Sequence, residues 1–233
     1  MNALWVFLHG INNTPGVWDP VVAYMSPKPP VKTPEYPAVT CIEDIADLLW
    51  EQLPDACVLV GHSFGGYVAL GMLAKSPERV AGIALVNSHT REDSEGAREL
   101  REKSATAAES GKYTKLVEAV SDRVYHPDNL GRLDLSQQRE ADTRDYGPVR
   151  FSAHQRACAA RPDREALFSS YSGPKIVVAS EVDLVIDPED QRVMAQKCGA
   201  SFKSISGAGH MLPAEQPVRL AEQLSNWGRS FSS

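Results

Sequence analysis

The sequence predicts an α/β fold in which a mostly parallel sheet of about six strands is flanked by helices and carries a helical cap insertion. Short, uninterrupted apolar runs alternate with helix-like segments along the 233 residues, and this alternation is typical of a buried parallel sheet. A glycine-rich turn at residues 61–66 joins one such run to a helix. A third stretch, residues 88–165, is too rich in charge to form sheet core.

The strands are inferred from runs of apolar, β-branched and aromatic residues that are bounded by turn signals. Five such runs are predicted strands: residues 4–8, 56–60, 80–86, 175–180 and 200–205. Four segments with helical periodicity or helix-start signals are predicted helices: residues 42–53, 67–75, 188–197 and 213–227. In the last helix, Leu220, Leu224 and Trp227 share one face, which is the pattern of a terminal helix that docks on the core.

The turn at residues 61–66 has the pattern Gly-x-Ser-x-Gly around Ser63, which is the signature of a nucleophile elbow. In this motif the serine occupies a strained turn between a strand and a helix, and the flanking glycines are needed because a Cβ would collide with neighbouring backbone. We therefore expect Ser63 Oγ to project free of the sheet. The backbone N–H of Phe64, at the start of the next helix, can meet the negative charge that develops during acyl transfer.

The loop after the first predicted strand is the expected source of a second oxyanion donor. Residues 4–8 run into His9, Gly10 and Ile11, roughly fifty residues before the elbow, a spacing that suits one strand, loop, strand and helix unit. In folds built around a nucleophile elbow, the second N–H comes from the loop that follows the neighbouring strand. We therefore expect the backbone N–H of Ile11 to supply it.

A serine on such an elbow needs a histidine base, and the chain order is nucleophile, acid, histidine. Of the six histidines, only His210 follows an acid that itself follows a late strand, residues 175–180. The carboxylates just beyond that strand are Glu181, Asp183 and Asp187. Asp187 directly precedes a proline and is interpreted as a helix N-cap. Asp183 is therefore the predicted acid, and Glu181, which lies very close to the strand end, stays open as an alternative.

Together these motifs resemble the α/β-hydrolase fold superfamily, and within it the small bacterial hydrolases similar to 3-oxoadipate enol-lactonases and carboxylesterases. The resemblance covers nearly the whole chain. It is carried by residues 9–11, by the elbow at 61–66, by the acid segment 180–183, and by residues 209–210 with the prolines that follow. One departure is Ser180, since many relatives have glycine at this position before the acid.

The resemblance implies a role for each of these residues. Ser63 is expected to be the nucleophile, His210 the general base and then acid, and Asp183 the carboxylate that orients the imidazole. The backbone N–H groups of Ile11 and Phe64 are expected to form the oxyanion hole. No cofactor and no metal ion are implied.

The stretch 88–165 holds 14 of the 24 Lys and Arg residues and 15 of the 30 Asp and Glu residues. This charge density predicts an exposed helical cap inserted in a core made of residues 1–87 and 166–233. An apolar stripe at helical spacing is expected to cover the pocket mouth: Tyr113, Leu116, Val117, Val120 and Val124. Arg150 and Arg156 are weighed as ligands of a substrate carboxylate, against the commoner role of arginines that are solvated. Three aromatic residues are candidates for pocket lining: Tyr125, Tyr146 and Phe151.

Composition limits the function classes. A formal charge of −6 argues against a nucleic-acid partner, for which a basic face is expected. The first apolar run is too short for a signal peptide, so a cytoplasmic location without a membrane partner is expected. The four cysteines show no C-x-x-C spacing, which favours free thiols over a disulfide framework or a zinc site.

The sequence thus predicts a serine hydrolase that cleaves a small carboxylic ester, lactone or thioester through an acyl-enzyme. Two alternatives stay open: hydrolysis of a carbon–carbon bond in a ring-cleavage product by the same residues, and a slow-turnover ligand receptor on the same scaffold. A serine at position 63 argues against dehalogenase and epoxide hydrolase chemistry, because those reactions need a carboxylate nucleophile. The fold alone does not choose the substrate or the oligomeric state.

Overall fold

The computed structural model describes residues 3–230, which form one six-stranded parallel sheet. The strands are β1 (Leu4–Leu8), β2 (Val31–Lys32), β3 (Cys57–His62), β4 (Val80–Val86), β5 (Lys175–Ser180) and β6 (Ser201–Ile205). Their order across the sheet is β2-β1-β3-β4-β5-β6, and every neighbouring pair is parallel. The predicted fold class and parallel sheet are confirmed.

Eleven α-helices connect or flank these strands within the described residues. They are α1 (Asp19–Tyr24), α2 (Ile42–Trp50), α3 (Phe64–Lys75), α4 (Glu95–Ala107), α5 (Tyr113–Ala119), α6 (Ser121–Val124), α7 (Leu133–Ala160), α8 (Glu165–Ser170), α9 (Pro188–Lys197), α10 (Leu212–Glu215) and α11 (Pro217–Arg229). None of the helices in residues 3–230 has the length and apolar composition of a transmembrane span. Residues 1–2 and 231–233 of the predicted core lie outside the described residues.

The continuous apolar character of the strands follows from burial on both faces of the sheet. In β1, Val6 and Leu8 enter the hydrophobic cluster on one face, whereas Trp5 and Phe7 enter the cluster on the other. Helices α2 and α3 pack on the first face and α11 packs on the second. Leu220, Leu224 and Trp227 of α11 all belong to this second cluster, which confirms the predicted docking face.

Three elements differ from the sequence prediction. The edge strand β2 was not predicted, because a two-residue strand inside a proline-rich loop has no hydrophobic period to reveal it. The predicted helix 213–227 is broken at Gln216, whose φ of −133° and ψ of 54° are not helical. The cause is Pro217, which disfavours helical geometry in the residue before it and has no N–H to donate. The elbow helix begins at Phe64, three residues before its predicted start.

The predicted amphipathic stripe also lies on two helices rather than one. Helices α5 and α6 are separated at Val120, which has φ −106° and ψ 7°. Ser121 Oγ donates to the carbonyl oxygen of Glu118 at 2.8 Å, and this local hydrogen bond competes with the backbone hydrogen bonds that would continue the helix. The helices between β4 and β5 also share a small hydrophobic cluster of their own, formed by Ala108, Tyr113, Val117, Tyr146 and Phe151.

Candidate functional site

Ser63 lies on a tight turn between β3 and α3, with φ 51° and ψ −116°. A non-glycine residue at this positive φ is strained, so the surrounding structure must hold it there. A Cβ at Gly61 would lie closer than 3.0 Å to the carbonyl oxygen of Gly65, and a Cβ at Gly65 would lie equally close to the carbonyl oxygen of Leu8. The close approach of α3 to β3 and β1 therefore explains why both positions flanking the serine are glycine.

The structure brings Ser63, His210 and Asp183 into one hydrogen-bonded chain. The distance from His210 Nε2 to Ser63 Oγ is 2.9 Å, and that from His210 Nδ1 to Asp183 Oδ2 is also 2.9 Å. Because an ionised carboxylate only accepts hydrogen bonds, Nδ1 carries the proton of the neutral imidazole. Nε2 is then the acceptor for the Ser63 hydroxyl, which is the arrangement that a general base requires.

Asp183 is held in place by its own backbone. Its Oδ1 accepts hydrogen bonds from the N–H groups of Val185 at 2.8 Å and Ile186 at 3.0 Å, which leaves Oδ2 to face His210. Burial raises the pKa of this carboxyl group, but the facing His210 and the two backbone donors outweigh burial and hold the pKa below its usual value. The carboxylate is therefore charged and oriented at neutral pH.

The two other acids that follow β5, Glu181 and Asp187, do not contact His210 in the described residues. The side chain of Asp187 caps α9, since its Oδ1 accepts the N–H of Glu189 at 2.8 Å and Pro188 is the first residue of the helix. The predicted N-cap is confirmed. Glu181 is exposed, and its backbone N–H donates to the carbonyl oxygen of Ile205 at 3.0 Å.

The two predicted oxyanion donors flank the nucleophile. Phe64 is the first residue of α3, so its N–H has no partner within the helix. Ile11 follows β1, which lies beside β3 with Leu8 opposite Gly61, and it lines the same cleft as Ser63. Neither N–H donates to an acceptor within residues 3–230. The role of these two N–H groups as an oxyanion hole stays a prediction.

Asn87 is a polar residue at this site that the sequence analysis did not single out. It follows β4, has a φ of 44° and is fully buried. Its Oδ1 accepts the N–H of Ser180 at 2.8 Å, and its Nδ2 donates to Ser180 Oγ at 2.9 Å and to the carbonyl oxygens of Gly209 and His210 at 3.1 and 2.9 Å. One side chain therefore ties the end of β5 to the histidine loop. The available signal was an asparagine directly after a buried strand, at the carboxyl edge where α/β sites lie.

His62, next to the nucleophile, supports the same loop. Its Nε2 donates to the carbonyl oxygen of His210 at 2.8 Å, as expected for a residue that hydrogen-bonds beneath the elbow. Burial lowers the pKa of His62 to about 3. The imidazole is therefore neutral and serves as a hydrogen-bond donor rather than as a charge.

Ser63 and His210 open into a small cleft of about 70 Å³. Three residues of the predicted apolar stripe line it, namely Val117, Val120 and Val124, together with Tyr125. The cleft adjoins a larger cavity of about 530 Å³ between α5 and α7, and Val117 and Arg139 line both spaces. The nucleophile therefore lies in a narrow, mostly apolar cleft, and a wider cavity lies beside it.

The other residues weighed from the sequence do not line this cleft. Arg150 pairs with Glu35, and Arg156 pairs with Glu102 at 2.9 Å and with Glu109. Two of the candidate aromatic residues are packed inside the helical segment: Tyr146 and Phe151. Arg139, which the sequence did not single out, is the arginine that reaches the cleft.

Comparisons with known proteins agree with this geometry. A sequence profile described as the alpha/beta hydrolase family matches residues 5–223. The chain is 33% identical over 90 residues to a pimeloyl-[acyl-carrier protein] methyl ester esterase of Aromatoleum aromaticum, a match that spans 36% of this chain and 36% of that protein. The chain thus spans little more than a third of that relative's length.

Two further relatives match over most of the chain. A 3-oxoadipate enol-lactonase of Acinetobacter baylyi is 27% identical over 198 residues, which are 81% of this chain and 70% of that protein. The solved structure of a thermophilic esterase from Thermogutta terrifontis, with malate bound, superposes with a TM-score of 0.91 at 25% identity, and covers 99% of this chain and 91% of that one.

Proposed function

The chain belongs to the alpha/beta hydrolase family, and from that premise we propose that it hydrolyses a small carboxylic ester, lactone or thioester through an acyl-enzyme on Ser63. The observation that carries the proposal is the hydrogen-bonded chain from Ser63 through His210 to Asp183, in which Ser63 lies on the strained turn of the elbow. A serine hydroxyl is a weak nucleophile by itself, and an adjacent base that is oriented by a third group activates it.

Acylation follows from this geometry. His210 Nε2 removes the proton of Ser63 Oγ as the oxygen atom attacks the substrate carbonyl carbon, and Asp183 stabilises the imidazolium that forms. The N–H groups of Ile11 and Phe64 donate hydrogen bonds to the carbonyl oxygen and stabilise its developing negative charge, and the dipole of α3 adds to this at the helix amino terminus. When the tetrahedral intermediate collapses, the bond to the leaving group breaks, and His210 gives its proton to the departing oxygen or sulfur atom.

Deacylation repeats these steps with water. His210 Nε2 removes a proton from a water molecule as its oxygen atom attacks the acyl carbonyl carbon, and the ester bond to Ser63 Oγ then breaks. The proton on His210 returns to Ser63, and the carboxylic acid is released. His210 thus takes part in every proton transfer of the cycle, while Asp183 stays ionised.

The small apolar cleft and one of the relatives support a small substrate. The relative that matches most of the chain is named for an enol-lactone, and the cleft of about 70 Å³ beside Ser63 has room for a short acyl group. We also propose that residues 88–165 act as a cap over the site. The support is that Val117, Val120 and Val124 of this segment line the cleft with Ser63.

Covalent labelling tests the nucleophile. A fluorophosphonate forms a stable bond with an activated serine, so the protein should gain the mass of one label, and peptide mapping should locate it at Ser63. Ser63→Ala should take up no label and should lose several orders of magnitude in turnover of a p-nitrophenyl ester. The matched control is Ser170→Ala, which removes an exposed hydroxyl from α8. A label on another residue, or equal labelling of Ser63→Ala, contradicts the proposal.

A further inference from the structure

The nucleophile cleft borders a second space that the proposed chemistry does not use. The cleft of about 70 Å³ and the cavity of about 530 Å³ share two lining residues, Val117 of α5 and Arg139 of α7. Because Ser63 and Arg139 both line the small cleft, a group attached to Ser63 shares that cleft with Arg139, at the junction where it meets the larger cavity. The part of the substrate away from the reacting carbonyl is expected to occupy this junction.

Arg139 differs from the other arginines of its helix. Each of the other three pairs with an acid: Arg144 with Asp145, Arg150 with Glu35, and Arg156 with Glu102 and Glu109. The guanidinium of Arg139 instead donates to the carbonyl oxygen of Val117 and lies over the ring of Tyr125, 5.6 Å from its centre. It pairs with no carboxylate within residues 3–230.

The charges around this junction favour an anion near Arg139. Among the described residues that line the small cleft, Arg139 alone carries a fixed charge, and its neighbours there are mostly apolar. Glu118, Glu140 and Arg144 also line the larger cavity, but all three side chains are exposed to solvent, whereas Arg139 is half-buried. Water screens the exposed charges more strongly than it screens Arg139.

We propose that Arg139 binds a carboxylate at the far end of the substrate's acyl group, which makes half-esters of short dicarboxylic acids the favoured substrate class. The proposal rests on the proposed acyl-enzyme at Ser63, because the subsite is defined by its position relative to that atom. A guanidinium offers parallel N–H donors that match the two oxygen atoms of a carboxylate. The backbone bond to Val117 fixes the direction of this side chain before a substrate arrives.

The test compares two substrates of equal size, monomethyl glutarate and its uncharged analogue methyl glutaramate, in which a carboxamide replaces the free carboxylate. Methanol release gives kcat/KM for both. The wild-type protein should prefer the acid. Arg139→Gln should lower this preference by about 10- to 100-fold, the range that loss of a charge-assisted hydrogen bond produces, and mainly through KM. Arg139→Lys should keep part of the preference, because lysine retains the positive charge but lacks the parallel N–H donors of the planar guanidinium.

The matched control is Arg156→Gln, which removes the same charge from the same helix at a position outside both cavities. It should leave the preference ratio at its wild-type value. An equal loss on both substrates in Arg139→Gln shows a structural role and overturns the subsite, as does a wild-type protein without preference for the acid. If the wild-type protein hydrolyses neither ester and takes up no fluorophosphonate, the proposed function itself fails.

Discussion

Replacing Asp183 with asparagine tests how the acid acts, and the structure gives the expected result in detail. Oδ1 of Asp183 already accepts two backbone N–H groups, from Val185 and Ile186. An asparagine must therefore keep its carbonyl oxygen at that position and turn its NH₂ group towards His210. The NH₂ group can only donate, so His210 Nδ1 becomes an acceptor and the ring proton moves to Nε2. His210 then cannot accept the proton of Ser63.

The expected loss is about 10⁴-fold in kcat, the size found where an acid-to-amide change fixes the wrong tautomer, and it corresponds to about 5 kcal/mol of transition-state stabilisation. The assay is initial-rate hydrolysis of p-nitrophenyl acetate, with a thermal melt to show that the variant is folded. Asp187→Ala is the control, because it removes only the cap of α9 and should cost on the order of 1 kcal/mol of stability while the rate is retained. If Asp183→Asn keeps more than about a tenth of the rate, another residue orients His210.

Three further predictions follow from the elbow, the buried histidines and the cap. Gly65→Ala should lower the free energy of unfolding by more than about 2 kcal/mol, because the added Cβ would collide with the backbone of β1. The control is Gly96→Ala, which has open space around the added Cβ and should change the free energy of unfolding by no more than about 1 kcal/mol. Thermal melts that rank the two variants in the opposite order contradict the packing argument. Burial lowers the pKa values of His9 and His62 from 6.5 to about 3, so their contribution to stability is complete above pH 6.5 and is lost as the pH falls towards 3. In urea denaturation across this range, the free energy of unfolding should fall less steeply with decreasing pH in His9→Gln than in the wild-type protein. An unchanged dependence of this free energy on pH refutes the assignment. Activity on p-nitrophenyl esters should fall steeply as the acyl chain lengthens. Val120→Ala should raise the rate on longer esters relative to acetate, whereas Val149→Ala, at an exposed position, should not. Equal wild-type rates on long-chain and acetyl esters would show that the proposed cap does not select substrates by size.

The sequence predicted those features that depend on local chemistry. The elbow glycines, five of the six strands and the cap of α9 by Asp187 all follow from patterns and steric or hydrogen-bonding rules that act over a few neighbouring residues. The order of nucleophile, acid and histidine along the chain predicted that His210 meets Ser63, because the carboxyl ends of parallel strands share one edge of the sheet. The N-cap signal at Asp187 then favoured Asp183 as the acid, with Glu181 left open.

The features that the sequence did not predict depend on contacts between distant segments. Asn87 and Ser180 are 93 positions apart, and their hydrogen bond exists only because β4 and β5 are neighbours in the sheet. Arg139 looks like any other arginine of a charged helix until the partners of Arg150 and Arg156 are known. The helix breaks at Val120 and Gln216 are a different case, because their causes, the Ser121 hydroxyl and Pro217, are local and stand in the sequence.

The hydrogen bonds of Asn87 have a consequence for the evolution and engineering of this site. Positions 87 and 180 are coupled, because the amide of Asn87 uses both the backbone N–H and the hydroxyl of Ser180. A graft of the acid loop from a relative with glycine at position 180 would take away one acceptor while the amide stays buried. The effects of changes at the two positions should therefore be non-additive. Directed evolution of the acid segment should vary both positions together.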